Sequence, residues 1–192
     1  MRRRYSLAHL ILTSIVALGL ILLMIDVEAQ ARIAFESDRD WHGWGWEIYV
    51  MDADGENQRN VTNNLGDDRD PSWLPDGQRI AFSSDRNDMG GNRQIYAMNA
   101  DGGNQQRLTE NRVWDRFPSW SPGGQRIAFW SNREGDLHNT EIYVMDADGS
   151  NPQNLTNHPR GDVTPAWLNS PFSIAPAGKR FTVWGWLKQV DR

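Results

Sequence analysis

Cysteine is absent from all 192 residues, which excludes a disulfide scaffold, a thiolate nucleophile and a cysteine metal site. Basic runs are scarce as well. Beyond Arg2-Arg3-Arg4 no basic cluster occurs, and 20 Lys and Arg stand against 25 Asp and Glu for a net charge of -5. That balance argues against a nucleic-acid partner held through its phosphates. There is no Gly-Xaa-Ser-Xaa-Gly elbow, His-Glu-Xaa-Xaa-His pair, phosphate loop or dinucleotide glycine pattern. His42, His138 and His158 fall at unrelated places in expected loops, where they read as solvated side chains. After residue 30 no stretch has a helical period. What is there, 39% hydrophobic and 23% charged residues, fits one globular domain. Ten tryptophans are an excess that the fold or the function must explain.

The amino terminus reads as a separate object. The three arginines precede an apolar run from Leu10 to Ile25, and Val27-Glu28-Ala29 offers small residues for a signal peptidase, so residues 1–29 are expected to be an export signal. An uncleaved anchor is the alternative reading. Either one places the rest of the chain outside the cytoplasm, periplasmic or secreted.

An internal repeat organises everything that follows. Arg-Ile-Ala-Phe recurs from Arg32, Arg79 and Arg126; Ile-Tyr from Ile48, Ile95 and Ile142; Asp-Gly from Asp54, Asp101 and Asp148; and Pro-Xaa-Trp from Pro71, Pro118 and Pro165, each step being 47 residues. A period between 40 and 50 belongs to propeller blades. The segments are short, branched and aromatic, and are bounded by Gly, Asp, Asn and Pro, as strands are. Each unit reads as four strands: A with Pro-Ser-Trp (71–73), B with Arg-Ile-Ala-Phe (79–82), C with Ile-Tyr-Ala-Met (95–98) and D around Arg-Leu-Thr (107–109). Pro75-Asp76-Gly77 supplies the A-to-B turn, and Asp52-Ala53-Asp54-Gly55 with its copies the C-to-D turn. A calcium loop needs Gly sixth and Glu twelfth, whereas Gly is fourth here, so a turn is preferred and no metal or other cofactor is expected. Trp73, Trp120 and Trp167 share one phase and are expected to pack between sheets.

These units, Arg-Ile-Ala-Phe-Xaa-Ser-Asp-Arg, Glu-Ile-Tyr-Val-Met-Asp-Ala-Asp-Gly, Leu-Thr and Pro-Xaa-Trp, resemble the repeat of the TolB-like, WD40-like beta-propellers from residue 32 to about 168. The resemblance implies an all-β fold, here a partial beta-propeller of three four-stranded blades over residues 30–73, 74–120 and 121–167. Residues 169–192 read as a degenerate fourth unit and tail, because Ala175-Pro176-Ala177-Gly178 echoes the A-to-B turn 54 residues after Pro122 rather than 47. The family has six blades and occurs both in periplasmic scaffold proteins and attached to serine peptidases. Unit one lacks a strand A, while Pro165-Ala166-Trp167 is a strand A in excess. Self-association into a homo-oligomer is the expected remedy for the open edges.

Candidate binding residues come from two patterns. Asp68, Asp115 and Asp162 repeat at the entry to strand A, where they either face a ligand or cation at the mouth of the ring or cap the loop. Asp38-Arg39, Asp85-Arg86 and Asn132-Arg133 close strand B and read as structural ion pairs or hydrogen bonds. The B-to-C loops keep their length and lose their identity, and in an up-and-down blade they share a face with the D-to-A loops. Trp41, Trp44, Trp46 and Trp114 fall on that individual face. They are expected either to grip a peptide or a sugar, or to pack on one another. The reading is a non-catalytic exported module that binds a protein or peptide partner in the cell envelope. The alternatives are a carbohydrate-binding module and a serine-peptidase propeller lacking its hydrolase domain. Membrane contact is expected only through an uncleaved anchor.

Overall fold

The computed structural model describes residues 32–40, 45–88, 90–133 and 139–168. The expected export signal (1–29), the degenerate unit (169–192), Trp41 and Trp44 lie outside them. Among the described residues there is no helix. Three antiparallel sheets follow one another along the chain. The first holds β1 (Arg32–Ser37), β2 (Glu47–Asp52) and β3 (Arg59–Asn60). The second holds β4 (Asp68–Trp73), β5 (Arg79–Ser84), β6 (Gln94–Asn99) and β7 (Gln106–Arg107), and the third β8 (Asp115–Trp120), β9 (Arg126–Ser131), β10 (Glu141–Asp146) and β11 (Gln153–Asn154).

The sheets are cut at a different phase from the sequence units 30–73, 74–120 and 121–167. Trp73 pairs with Ile80 and Trp120 with Ile127, so each Pro-Xaa-Trp strand belongs to the Arg-Ile-Ala-Phe strand that follows it. The reason is the tight A-to-B turn: Gly77 N–H donates to Leu74 C=O, Leu74 N–H donates to Arg79 C=O, and Gly77 takes φ +71°. A four-residue hairpin holds its two strands together, whereas the longer D-to-A loop crosses to the next sheet. The first sheet therefore has three strands, with no strand A among the described residues.

Both faces of the middle sheet are covered. Ile80, Phe82, Tyr96 and Met98 face the first sheet and meet Ile48, Val50 and Val61. One residue on, Ala81, Ile95 and Ala97 face the third sheet and meet Trp120, Ile127, Phe129, Tyr143 and Met145. Alternation along a strand sends neighbours to opposite faces, so a sheet buried on both sides reads as a continuous apolar run. Trp120, 2% exposed, fills the space between the second and third sheets. The Arg79 guanidinium lies 5.5 Å from its ring centroid, and one repeat earlier Arg32 lies 5.8 Å from Trp73.

The inner strand carries a bulge at one phase. Asp70, Phe117 and Thr164 adopt φ +56°, +51° and +53°, and the pairing shifts between Arg69 and Ser72 and between Arg116 and Ser119. Each precedes a proline, which has no ladder N–H to lose. Residues 161–168 are not paired as a strand, yet Thr164 already has the bulge conformation.

Candidate recognition face

The B-to-C and D-to-A loops emerge together, and the first two sheets each have a polar cleft between them. One cleft, about 410 Å³, is lined by Asp40, Gly45, Asn60, Asn63, Asn64 and Leu65 among others. The other, about 440 Å³, is lined by Asn87, Asp88, Asn92, Arg107, Glu110, Asn111 and Arg112. Six of these pairs are exact 47-residue equivalents, from Asp40 and Asn87 to Leu65 and Arg112. The framework repeats the cleft and the side chains individualise it. The first lining carries two carboxylates, Asp40 and Glu47, no cation and an exposed leucine; the second carries two arginines and two carboxylates.

In each sheet a buried polar side chain that sequence reasoning missed holds the D-to-A loop. Glu47, at the start of strand C, accepts from the Thr62 hydroxyl at 2.5 Å and from Asn64 N–H at 3.0 Å. Gln94 accepts from the Thr109 hydroxyl at 3.2 Å and Asn111 N–H at 3.1 Å, and donates to Val113 C=O at 2.6 Å. Glu141 accepts from the Thr156 hydroxyl and from His158 N–H. In each sheet strand C thereby pins the D-to-A loop. The available signal was an acidic or amide residue followed fifteen positions later by Thr, three times over. Burial pushes the Glu47 carboxyl above its ordinary range, opposed by its hydrogen bonds from Thr62 and Asn64.

Two lining residues are tied to strand C tyrosines: Tyr49 donates to Asp40, and Asn87 donates to the Tyr96 hydroxyl at 2.8 Å. Burial, then the bond to Asp40, pushes the Tyr49 phenol up to about 12.

The sequence-predicted residues separate. Asp68 and Asp115 have no exposed surface, and of the two readings, a ligand at the mouth of a ring or a cap on the loop that enters strand A, their bonds from Asn64 and Asn111 fit the cap. Asp68 accepts from Arg86 at 2.8 Å and from Asn64, and Asp115 accepts from Arg133 at 3.0 Å and from Asn111 at 2.6 Å. The physical reason is antiparallel pairing: Asp68 lies opposite Ser84, which puts the arginine two residues later within reach. Burial pushes the Asp68 carboxyl up, opposed chiefly by Arg86. Asp162 is half-buried and its N–H donates to Thr140 C=O.

Trp46 is half-buried with Arg69 stacked 4.0 Å from its ring centroid, and Asp67 accepts from its backbone N–H at 2.8 Å. Trp114, 38% exposed, is the tryptophan that faces solvent on this side among the described residues. Its backbone is clamped to Asn132, whose amide oxygen accepts from Trp114 N–H at 2.7 Å. Among the described residues no group of three or more His, Asp or Glu is placed to hold a metal ion.

Comparison with known proteins agrees with this architecture. Residues 30–117 match the TolB beta propeller domain family, PD40. No match is found among curated proteins. Among solved structures, a TolB from Agrobacterium tumefaciens is 29% identical with a TM-score of 0.56, over 64% of this chain and 44% of that one. TolB from Acinetobacter baumannii is 25% identical with a TM-score of 0.57, over 68% of this chain and 31% of that one. The chain therefore spans less than half the length of either structure. Sheet order, turn chemistry and these similarities together show an all-β propeller-type repeat fold similar to that of the TolB-like beta-propellers.

Proposed function

We infer that the chain is a non-catalytic propeller module that binds a protein or peptide segment across its B-to-C and D-to-A face, outside the cytoplasm in the periplasm or at the cell surface. The recurrence of one cleft in successive sheets, with constant walls and different linings, carries this reading. Equivalent clefts in register suit an extended chain that passes from one to the next. A rigid scaffold with individual loops is the usual seat of recognition. The arginine-led apolar segment at the amino terminus supports export.

Affinity capture from the native cell envelope tests it, comparing the wild type with Leu65→Arg and Arg112→Glu. Both residues are exposed cleft-lining residues, so the fold should hold while the captured partner is lost. Capture unchanged in both variants would move the site elsewhere. Binding on a glycan array that Trp114→Ala abolishes would favour a sugar ligand instead. Labelling of this chain by a serine-reactive probe would overturn the non-catalytic reading.

A further inference from the structure

Among the described residues, the two ends of the array carry matching vacancies. In the second sheet Arg86 stacks over Phe82 and Tyr96, donates its Nε to Ser84 Oγ and donates Nη2 to Asp68. In the third, Arg133 does the same over Phe129 and Tyr143, with Ser131 and Asp115. In the first, Arg39 stacks over Phe35 and Tyr49 and its Nε donates to Ser37. Among the described residues no carboxylate lies within ion-pair reach of it. The aspartate of that phase is Asp162, at the far end of the array, and among the described residues it has no cationic partner.

Packing vacancies agree with this charge vacancy. Ile80 and Ile127 are fully buried beside their inner strands, whereas Ile33 is 42% exposed. A Cβ on Gly102 or Gly149 would meet the carbonyl oxygen of Val61 or Leu108 in the preceding sheet at 2.4 or 2.3 Å, but among the described residues nothing lies within 4 Å of one on Gly55. A Cβ on Gly124 would touch Leu74, but one on Gly77 has no such neighbour among the described residues. The residues of matching phase, Leu155 for Gly55 and Leu168 for Gly77, are exposed at the other end of the array. Residues 161–168 are meanwhile preset as an inner strand. Thr164 holds the bulge, Asp162 N–H donates to Thr140 C=O, and Trp167 N–H donates to Ser119 Oγ at 3.3 Å.

We propose that residues 162–168 of one copy add to β1 of a second copy as its missing inner strand, closing two three-sheet arrays through an Arg39–Asp162 ion pair. The register of the other sheets sets Asp162 opposite Ser37, Ala166 opposite Ala34 and Trp167 opposite Ile33. Reciprocal exchange is the smallest arrangement that fills both ends, because the donor strand is seated one sheet beyond the third and its own β1 is at the opposite end.

The test is the mass of the full-length chain by analytical ultracentrifugation across the micromolar range, for wild type, Arg39→Asp and Asp162→Arg, with circular dichroism to follow the fold. The wild type should associate as two copies. Each charge reversal should weaken association roughly 30-fold or more, as breaking a buried hydrogen-bonded charge pair does. An equimolar mixture of the two variants should recover it, since one junction of the mixed pair is native and the other is reversed on both sides. Misfolded chains would not recover on mixing. The rival occupant is a later segment of the same chain, around Lys179-Arg180-Phe181. A monomeric wild type, association indifferent to both reversals, or a mixture that fails to recover would each overturn the proposal.

Discussion

Side chains of one type have opposite duties here, and burial decides which. Trp120 is enclosed by two sheets, so Trp120→Ala should cost about 3–5 kcal/mol as a large core truncation. Trp114 faces solvent, and Trp114→Ala should stay within about 1 kcal/mol. Urea denaturation of the two variants checks the contrast, and equal losses would refute it. Glu47 gives a test in pH. Its carboxyl titrates above the ordinary range when folded, so folding binds its proton more tightly than the unfolded chain does. That contribution is full below the ordinary pKa and is lost as pH rises through the folded value. Glu47→Gln, which copies Gln94, should therefore be more stable than wild type at neutral pH and lose that advantage in acid. A wild type more stable than the variant at neutral pH would contradict it.

Strands and turns show how far local pattern reaches. The alternation in Arg-Ile-Ala-Phe and the Pro-Asp-Gly turns were legible as strands and hairpins because they depend on residues a few positions apart. The hairpin of strands A and B was legible in Pro75-Asp76-Gly77, whereas its register and bulge, Trp73 against Ile80 with a shift between Arg69 and Ser72, were not. Nor was the clamp by Glu47, Gln94 and Glu141, hidden because the middle copy exchanges a carboxylate for an amide. The C-to-D turns join neighbouring sheets as well as strands. Gly102 has φ +92° and approaches Val61 C=O, so Gly102→Ala combines a left-handed backbone cost of about 1–2 kcal/mol with steric overlap. It should destabilise the protein more than Gly103→Ala, whose Cβ would meet side-chain atoms of Asp101 and Asn99 and no backbone. Thermal unfolding of the two variants decides it, and equal melting points would count against inter-sheet contact as the cause.

As a whole molecule the array is a row of sheets that share cores with their neighbours, so protection should fall from the middle outward. Hydrogen exchange should be slowest in β6, buried along five of its six residues, and faster in β1, whose inner edge no described strand pairs. If two copies exchange strands, protection of β1 should rise with protein concentration while that of β6 stays constant. Concentration-independent exchange in β1 would contradict the closure.

The sequence by itself determined the all-β class, the 47-residue repeat, the turn residues and the tryptophans of one phase, because each follows from short-range periodicity or from residues needed at a tight turn. Whether a repeated residue serves the framework or the surface was decided only by the tertiary structure. Asp68 and Asp115 are identical in type and phase to a ring of ligands, yet antiparallel pairing brings Arg86 and Arg133 back onto them and closes them off. The same pairing leaves Arg39 and Asp162 apart at opposite ends, since a strand's partner is set by which edges meet in space and not by its place in the repeat.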